Sequence, residues 1–166
     1  MKVLMTFEGE TIETEVGEEF RNLFNNKKTG FERVKHGESY WFINYTGIPE
    51  ESTEYNDLFE NELFEKANYF SDVNFANDMG RVETLRRKIH RRSVELCAFA
   101  DLAKRTKCAW AIGWDASSER IVASPVINAH FGNVLFDTEN HCMQVIDEFY
   151  DELIWYFAQF KGRANA

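Results

Sequence analysis

Cysteine, proline and glycine are all scarce in this 166-residue chain, and long apolar runs are missing altogether. The three cysteines, Cys97, Cys108 and Cys142, are odd in number and show no C-x-x-C spacing, which argues against a disulfide framework or a zinc cluster and for a reducing compartment. Two prolines and nine glycines leave little material for a flexible linker. No stretch approaches the ~20 apolar residues of a membrane span, and glutamates break the N-terminal run Met1–Glu10 before it could form a signal-peptide core, so no membrane partner is expected. Also missing are a G-x-S-x-G elbow, a glycine-rich phosphate loop with its lysine, and an H-E-x-x-H pair. His36, His90, His130 and His141 are scattered, and only His141 has a cysteine, Cys142, beside it. Neighbours on a helix face different ways, so His141 is expected outside and Cys142 inside. No catalytic residue, no metal ligand and no cofactor is assigned from the sequence, and an enzyme is not expected.

What the chain does have is aromatic and acidic. Hydrophobic residues make up 44%, and 15 of the aromatics are phenylalanine, enough to dominate a core when each ring buries about 150–250 Å². The net charge of −9 is unevenly spread. Residues 1–74 carry 16 acids and 7 bases, residues 75–108 carry 4 acids and 9 bases, and residues 109–166 carry 8 acids and 3 bases. Only the middle segment is basic, through Arg81, Arg86, Arg87, Lys88, Arg91 and Arg92. These bases spread over a broad arc of a helical wheel. Such an arc suits a solvated face paired with nearby acids as well as it suits phosphate recognition.

The chain also repeats itself. Trp41-Phe42-Ile43-Asn44-Tyr45 lines up with Trp110-Ala111-Ile112-Gly113-Trp114, and Phe70-Ser71-Asp72-Val73-Asn74 with Phe136-Asp137-Thr138-Glu139-Asn140. Two copies suggest a pseudo-symmetric domain and not an open array. In each copy a cap residue follows the phenylalanine, Ser71 or Asp72 in the first and Asp137 or Thr138 in the second, and a long amphipathic helix begins there. The first apolar stripe is Phe75, Met79, Val82, Leu85 and Ile89, resuming at Leu96 after a gap at Arg92-Ser93 that could mark a kink. The second stripe, Cys142, Ile146, Phe149, Leu153, Tyr156 and Phe160, predicts a helix over about 139–160, roughly 33 Å long, lying across a sheet.

Strands are expected at Val3–Phe7 and Ile12–Val16, as a hairpin with an acidic outer face, and at Tyr40–Tyr45, ended by Gly47-Ile48-Pro49. A second hairpin should join Trp110–Trp114 to Arg120–Ser124 through Asp115-Ala116-Ser117-Ser118, with Val134–Phe136 as a third strand. A short helix over Glu18–Phe24 and one or two helical turns within Glu50–Ala67 complete the pattern. The expected fold class is α+β: an antiparallel sheet with long helices on one face, built from two pseudo-repeated β-β-(β)-α units plus an N-terminal hairpin. The boundaries would fall at 1–36, 37–107 and 108–166, within one compact domain.

The run Phe31–Asn44, with Ala67-Asn68-Tyr69-Phe70-Ser71-Asp72 and Ala76, resembles a pattern of small phage and prophage proteins of Gram-positive bacteria. Those proteins pair an aromatic gY-Y-x-I-n strand with a G-N-x-F-x-T-x-x-x-A helix start. Ala67 departs from the usual glycine here, and Gly132-Asn133-Val134-Leu135-Phe136-Asp137-Thr138 echoes the same signal. The resemblance implies a viral accessory protein acting in the cytoplasm of a bacterial host. In that setting the acids Glu8, Glu10, Glu13, Glu15, Glu51, Glu54, Asp57 and Glu60 are expected to contact a host protein effector, a nuclease or CRISPR effector with a basic channel, with Tyr55 and Phe59 as anchors. The alternative expectation is a nucleic-acid-binding accessory protein that grips guide RNA or DNA through Arg81, Arg86, Arg87, Lys88, Arg91 and Arg92.

Overall fold

A computed structural model describes residues 2–7, 10–15, 29–97, 109–126 and 134–160, the first two segments as backbone strands. The chain is α+β. Strands β1 (Lys2–Phe7) and β2 (Glu10–Glu15) pair antiparallel, β3 (Ser39–Ile43) pairs with β4 (Pro49–Thr53), and β5 (Ala109–Asp115) pairs antiparallel with β6 (Arg120–Val126). Helices α1 (Leu58–Glu65) and α2 (Val73–Leu96) separate the second hairpin from the third, and α3 (Glu139–Glu148) and α4 (Tyr150–Ile154) follow it. Among the described residues each hairpin is its own two-stranded sheet, so the single sheet expected from the sequence is replaced by three short ones. No described helix is long and apolar enough to cross a membrane. The expected helix at 18–24 lies outside the described residues.

Two compact units interleave along the chain. One comprises Met1–Phe42 with Glu51–Val73, the other Ile43–Glu50 with Asn74–Ala166, so the division cuts inside the β3–β4 hairpin and not at residues 36 and 107.

In the first unit the core is aromatic. Tyr40, Tyr69 and Phe70 are buried, the Tyr40 and Tyr69 rings stacking 4.3 Å apart and Phe31 tilting onto Phe70 at 5.4 Å. Trp41 and Phe70 exchange both backbone hydrogen bonds (2.9 and 2.8 Å) in an isolated antiparallel bridge that ties β3 to the start of α2. Helix α1 opens on a reciprocal cap: the Glu60 N–H donates to Asp57 Oδ1 (3.1 Å) and the Asp57 N–H donates to Glu60 Oε2 (2.7 Å). It ends with Ala67 at φ +53°, the left-handed conformation that favours glycine.

The second unit is built around Leu85, Ile89, Ile121, Phe136, Cys142, Val145, Phe149 and Leu153. Trp110 and Phe136 repeat the bridge seen at Trp41 and Phe70, again with both hydrogen bonds (2.9 and 2.8 Å). The expected third strand reduces to this bridge. Thr138 then caps α3, accepting from the His141 N–H at 3.2 Å. The hairpin turn before β6 is organised by Asp115, whose carboxylate accepts from the Ser118 and Ser117 hydroxyls and the Ser117 N–H; these bonds hold its pKa at about 2.

Helix α2 runs unbroken through Arg92 and Ser93. The gap in its apolar stripe is harmless because the buried Ser93 hydroxyl donates to the Leu135 carbonyl at 2.6 Å. The second long helix is not one straight rod: it breaks at Phe149 (φ −116°, ψ 25°) and widens into π-type turns over Trp155–Phe160. There the i, i+5 rings of Trp155 and Phe160 lie 5.7 Å apart, a spacing that suits five-residue turns.

Glycine sets one close approach. As expected, β3 ends ahead of Gly47-Ile48-Pro49, where the chain turns into β4, with the Asn44 side chain accepting from Thr46 N (2.9 Å) and Ile48 N (3.1 Å) and Gly47 at φ +88°. Helix α2 passes directly against this tip. A Cβ on Gly80 would sit 2.6 Å from the Gly47 carbonyl oxygen, a backbone atom that cannot swing aside. Gly80→Ala therefore should destabilise by up to about 2 kcal/mol, an overpacking penalty of about 1–3 kcal/mol less the ~1 kcal/mol that alanine gains in a helix. A urea titration finding the variant equal to or more stable than the parent would show that the tip yields freely.

Candidate protein-docking surface

The acidic segment singled out in the sequence contains one buried machine and one exposed face. Glu54 is fully buried. Its Oε1 accepts from Arg33 Nη2 (2.9 Å) and the Asn56 N–H (2.7 Å), and its Oε2 from Arg33 Nε (3.1 Å) and the Tyr69 hydroxyl (2.6 Å). The Arg33 guanidinium, against the opposing effect of burial, holds the Glu54 carboxyl down at about 2. Burial and the neighbouring carboxylate together push the Tyr69 hydroxyl up. Glu60 is buried too, as the return half of the α1 cap. The expectation that Glu54 and Glu60 form part of an acidic contact surface is therefore corrected: both fix the loop from inside.

That fixed loop displays apolar side chains. Tyr55, Leu58 and Phe59 are 62%, 76% and 53% exposed, and Phe64 is exposed under the Arg33 guanidinium at 5.8 Å. Tyr55 meets the His36 ring edge-on at 5.8 Å, and Phe59 meets Phe42 at 5.8 Å. Arg33 reaches past Phe64 to donate to Asn61 Oδ1 at 2.6 Å. Exposed acids surround the rings: Glu51, Asp57, Glu62, which pairs with Lys66 at 2.9 Å, and Glu65. Helix α1 thus has inverted polarity, with a carboxylate inside and leucine and phenylalanine outside. Single exposed apolar residues are ordinary, but a cluster of them rimmed by charged residues, most of them acidic, is what a partner surface looks like.

Of the remaining acids, Glu10, Glu13 and Glu15 lie on β2, and Glu8 lies outside the described residues. The register pairs Glu10 with Phe7, Glu13 with Leu4 and Glu15 with Lys2.

The basic residues all lie on α2. Arg87 pairs with Glu83 (2.7 Å), Arg91 reaches Glu95 (3.8 Å), and Arg92 pairs with Glu95 (2.6 Å) and Glu148 (2.7 Å). Arg81 lies over the Trp155 ring at 3.8 Å, a cation–π contact. Arg81 and Lys88 also line a cleft of about 590 Å³ whose wall includes Asp151 and Glu152, and Arg86 lines an apolar cleft of about 270 Å³. Much of the positive charge is answered by acids within the same unit.

As expected, Cys142 is buried while His141 is partly exposed. Burial pushes the thiols of Cys97 and Cys142 up, the latter to about 12, so neither is poised as a thiolate nucleophile. Cys108 lies outside the described residues. Leu58 reads from the sequence only as part of an apolar helical recurrence with Phe59, Leu63 and Phe64, and no local signal marks it as exposed. Among known proteins no family model matches the chain, and no curated protein and no solved structure matches it.

Proposed function

We propose that this chain is a protein-binding inhibitor whose Tyr55–Leu58–Phe59 surface docks into a basic channel of a host nucleic-acid-handling effector, an anti-defence role of the anti-CRISPR kind. The observation that carries the proposal is the inverted helix α1, which holds Glu60 inside and presents Leu58 and Phe59 outside on a loop locked by Glu54. Rigid aromatic anchors supply contact energy at low entropic loss, and the surrounding acids steer and orient approach to a basic partner. The net charge of −9 adds long-range attraction of the same sign. The resemblance to phage and prophage proteins supplies the bacterial setting and the class of partner. The basic-helix alternative draws less support, since Arg87, Arg91 and Arg92 are committed to Glu83, Glu95 and Glu148.

The test is a panel of purified RNA-guided nucleases, each assayed for target-DNA binding as the chain is titrated in. At least one effector should lose its DNA near stoichiometric chain, and the double variant Leu58→Asp/Phe59→Ala should weaken that inhibition by about 30-fold, the effect of losing one hot spot of about 2 kcal/mol. Both positions are exposed, so folding of the variant, checked by circular dichroism, should survive. Undiminished inhibition by the double variant, or no inhibition across the panel, would overturn the proposal. A shift of naked DNA or RNA by the chain alone at low salt, lost in an Arg86/Arg87/Arg91/Arg92→Ala variant, would assign function to α2 instead.

A further inference from the structure

We infer that Cys97, Asp137 and His141 form a binding site for a single divalent transition metal, zinc foremost. The three residues come from separate places in the second unit: the end of α2, the loop after the Trp110–Phe136 bridge, and the first turn of α3. Their donor atoms, a sulfur, a carboxylate oxygen and an imidazole nitrogen, all lie within 4.8 Å of one another. His141 Nδ1 and Asp137 Oδ1 are already in contact at 2.6 Å.

The donor set decides the class of ion. One thiolate, one imidazole and one carboxylate make a borderline-soft site, which suits zinc and its neighbours and disfavours magnesium or calcium, whose ligands are all oxygen. Ligand bonds of about 2.0–2.3 Å in a tetrahedron put donors roughly 3.4 Å apart. The present spread accommodates that with small movements: the His141–Asp137 contact of 2.6 Å lengthens by under about 1 Å, and no donor pair has to close by more than about 1.4 Å. Three protein ligands leave the fourth position to water.

Rigidity around the site favours binding over chance proximity. The Cys97 N–H donates to the Ser93 carbonyl (3.0 Å), and Ser93 Oγ in turn donates to the Leu135 carbonyl (2.6 Å), which fixes the end of α2 against the segment that carries Asp137. The Phe136 bridge and the Thr138 cap fix the other two ligands from either side. Burial is graded along the set: Cys97 is 6% exposed, and the Asp137 and His141 side chains are 12% and 28% exposed. An ion can therefore enter past His141. The bland account of the same geometry is a hydrogen-bonded chain closing the start of α3, and it predicts no affinity for metal.

The two accounts part in a metal titration. The full chain, freed of metal with a chelator, is titrated separately with zinc and cobalt(II). The site predicts one ion per chain, a rise of about 5 °C or more in the melting temperature under saturating zinc, and a thiolate-to-cobalt charge-transfer band with the intense visible absorption of four-coordinate cobalt. His141→Gln, on a partly exposed residue whose backbone N–H and not its ring meets the Thr138 cap, should lower zinc affinity by at least about tenfold, and Cys97→Ser should abolish the charge-transfer band. Cys142→Ala and His90→Gln should leave binding unchanged. No saturable zinc binding, or a cobalt band that persists in Cys97→Ser, would overturn the assignment.

Discussion

Glu54→Gln should lower the stability of the chain by about 3–5 kcal/mol at neutral pH, the loss expected when one member of a buried ion pair is removed and the other is left behind. The carboxylate is fully buried and satisfies four donors at once: two nitrogens of Arg33, the Tyr69 hydroxyl and the Asn56 N–H. An amide in its place offers an N–H where every neighbour is itself a donor. Most of the loss therefore comes from stranded donors and not from a forfeited attraction, which gives the result a second signature. Adding Arg33→Met to Glu54→Gln should recover part of the loss, because the uncompensated guanidinium is gone. The wild-type pH dependence has a definite sign. With its pKa held at about 2 in the folded chain, against an ordinary value of 4.5, Glu54 contributes stability in full above about pH 4.5 and loses it as pH falls toward 2. Urea unfolding at pH 7 and at pH 3 should show that this acid sensitivity is smaller in Glu54→Gln. A loss under about 1 kcal/mol at pH 7 would mean that Glu54 does not hold the loop. Because the Asn56 N–H, next to Tyr55, is held by the same carboxylate, the variant should also weaken the docking proposed for the Tyr55–Leu58–Phe59 surface.

Glu54 also shows where sequence reading stops. An acid among acids reads as solvated, and nothing local distinguishes Glu54 from its exposed neighbour Glu51; the difference is Arg33 and Tyr69, 21 and 15 residues away. Strand β4 was hidden for a related reason, since Pro49-Glu50-Glu51-Ser52-Thr53 has no apolar alternation. Elements that announce themselves by side-chain pattern were legible. The hairpin at Trp110, the Thr138 cap after Phe136 and the helix starts at Val73 and Glu139 all follow from spacing and cap chemistry. The proposed docking face was half legible: Tyr55 and Phe59 stood out as aromatics in an acidic stretch, whereas Glu60 had to be seen in its capping box before the helix could be seen as turned inside out. Cys97, Asp137 and His141 were beyond reach, because 40 residues separate the cysteine from the aspartate and only the fold closes that distance.

Phe136→Ala should cost about 3–5 kcal/mol, the range for deleting a fully enclosed aromatic ring. Phe136 has no exposed surface and belongs to the same cluster as Leu85, Ile89, Val145, Phe149 and Leu153. Its backbone bonds to Trp110 do not depend on the side chain, so the variant keeps the bridge and loses the packing. Phe136→Leu, which returns most of the apolar volume, should recover more than half of the loss. The matched position Phe70 makes the same bridge to Trp41 and is equally enclosed, with Phe31 at 5.4 Å, so Phe70→Ala should cost a similar amount. The two variants should nevertheless differ in where they loosen the chain. Hydrogen exchange should show protection falling first in α3 and the β5–β6 hairpin for Phe136→Ala, and around β3 and Tyr69 for Phe70→Ala, since each ring sits in a different core. A large loss at one phenylalanine with almost none at the other would mean that the shared backbone bridge does not carry a shared packing role.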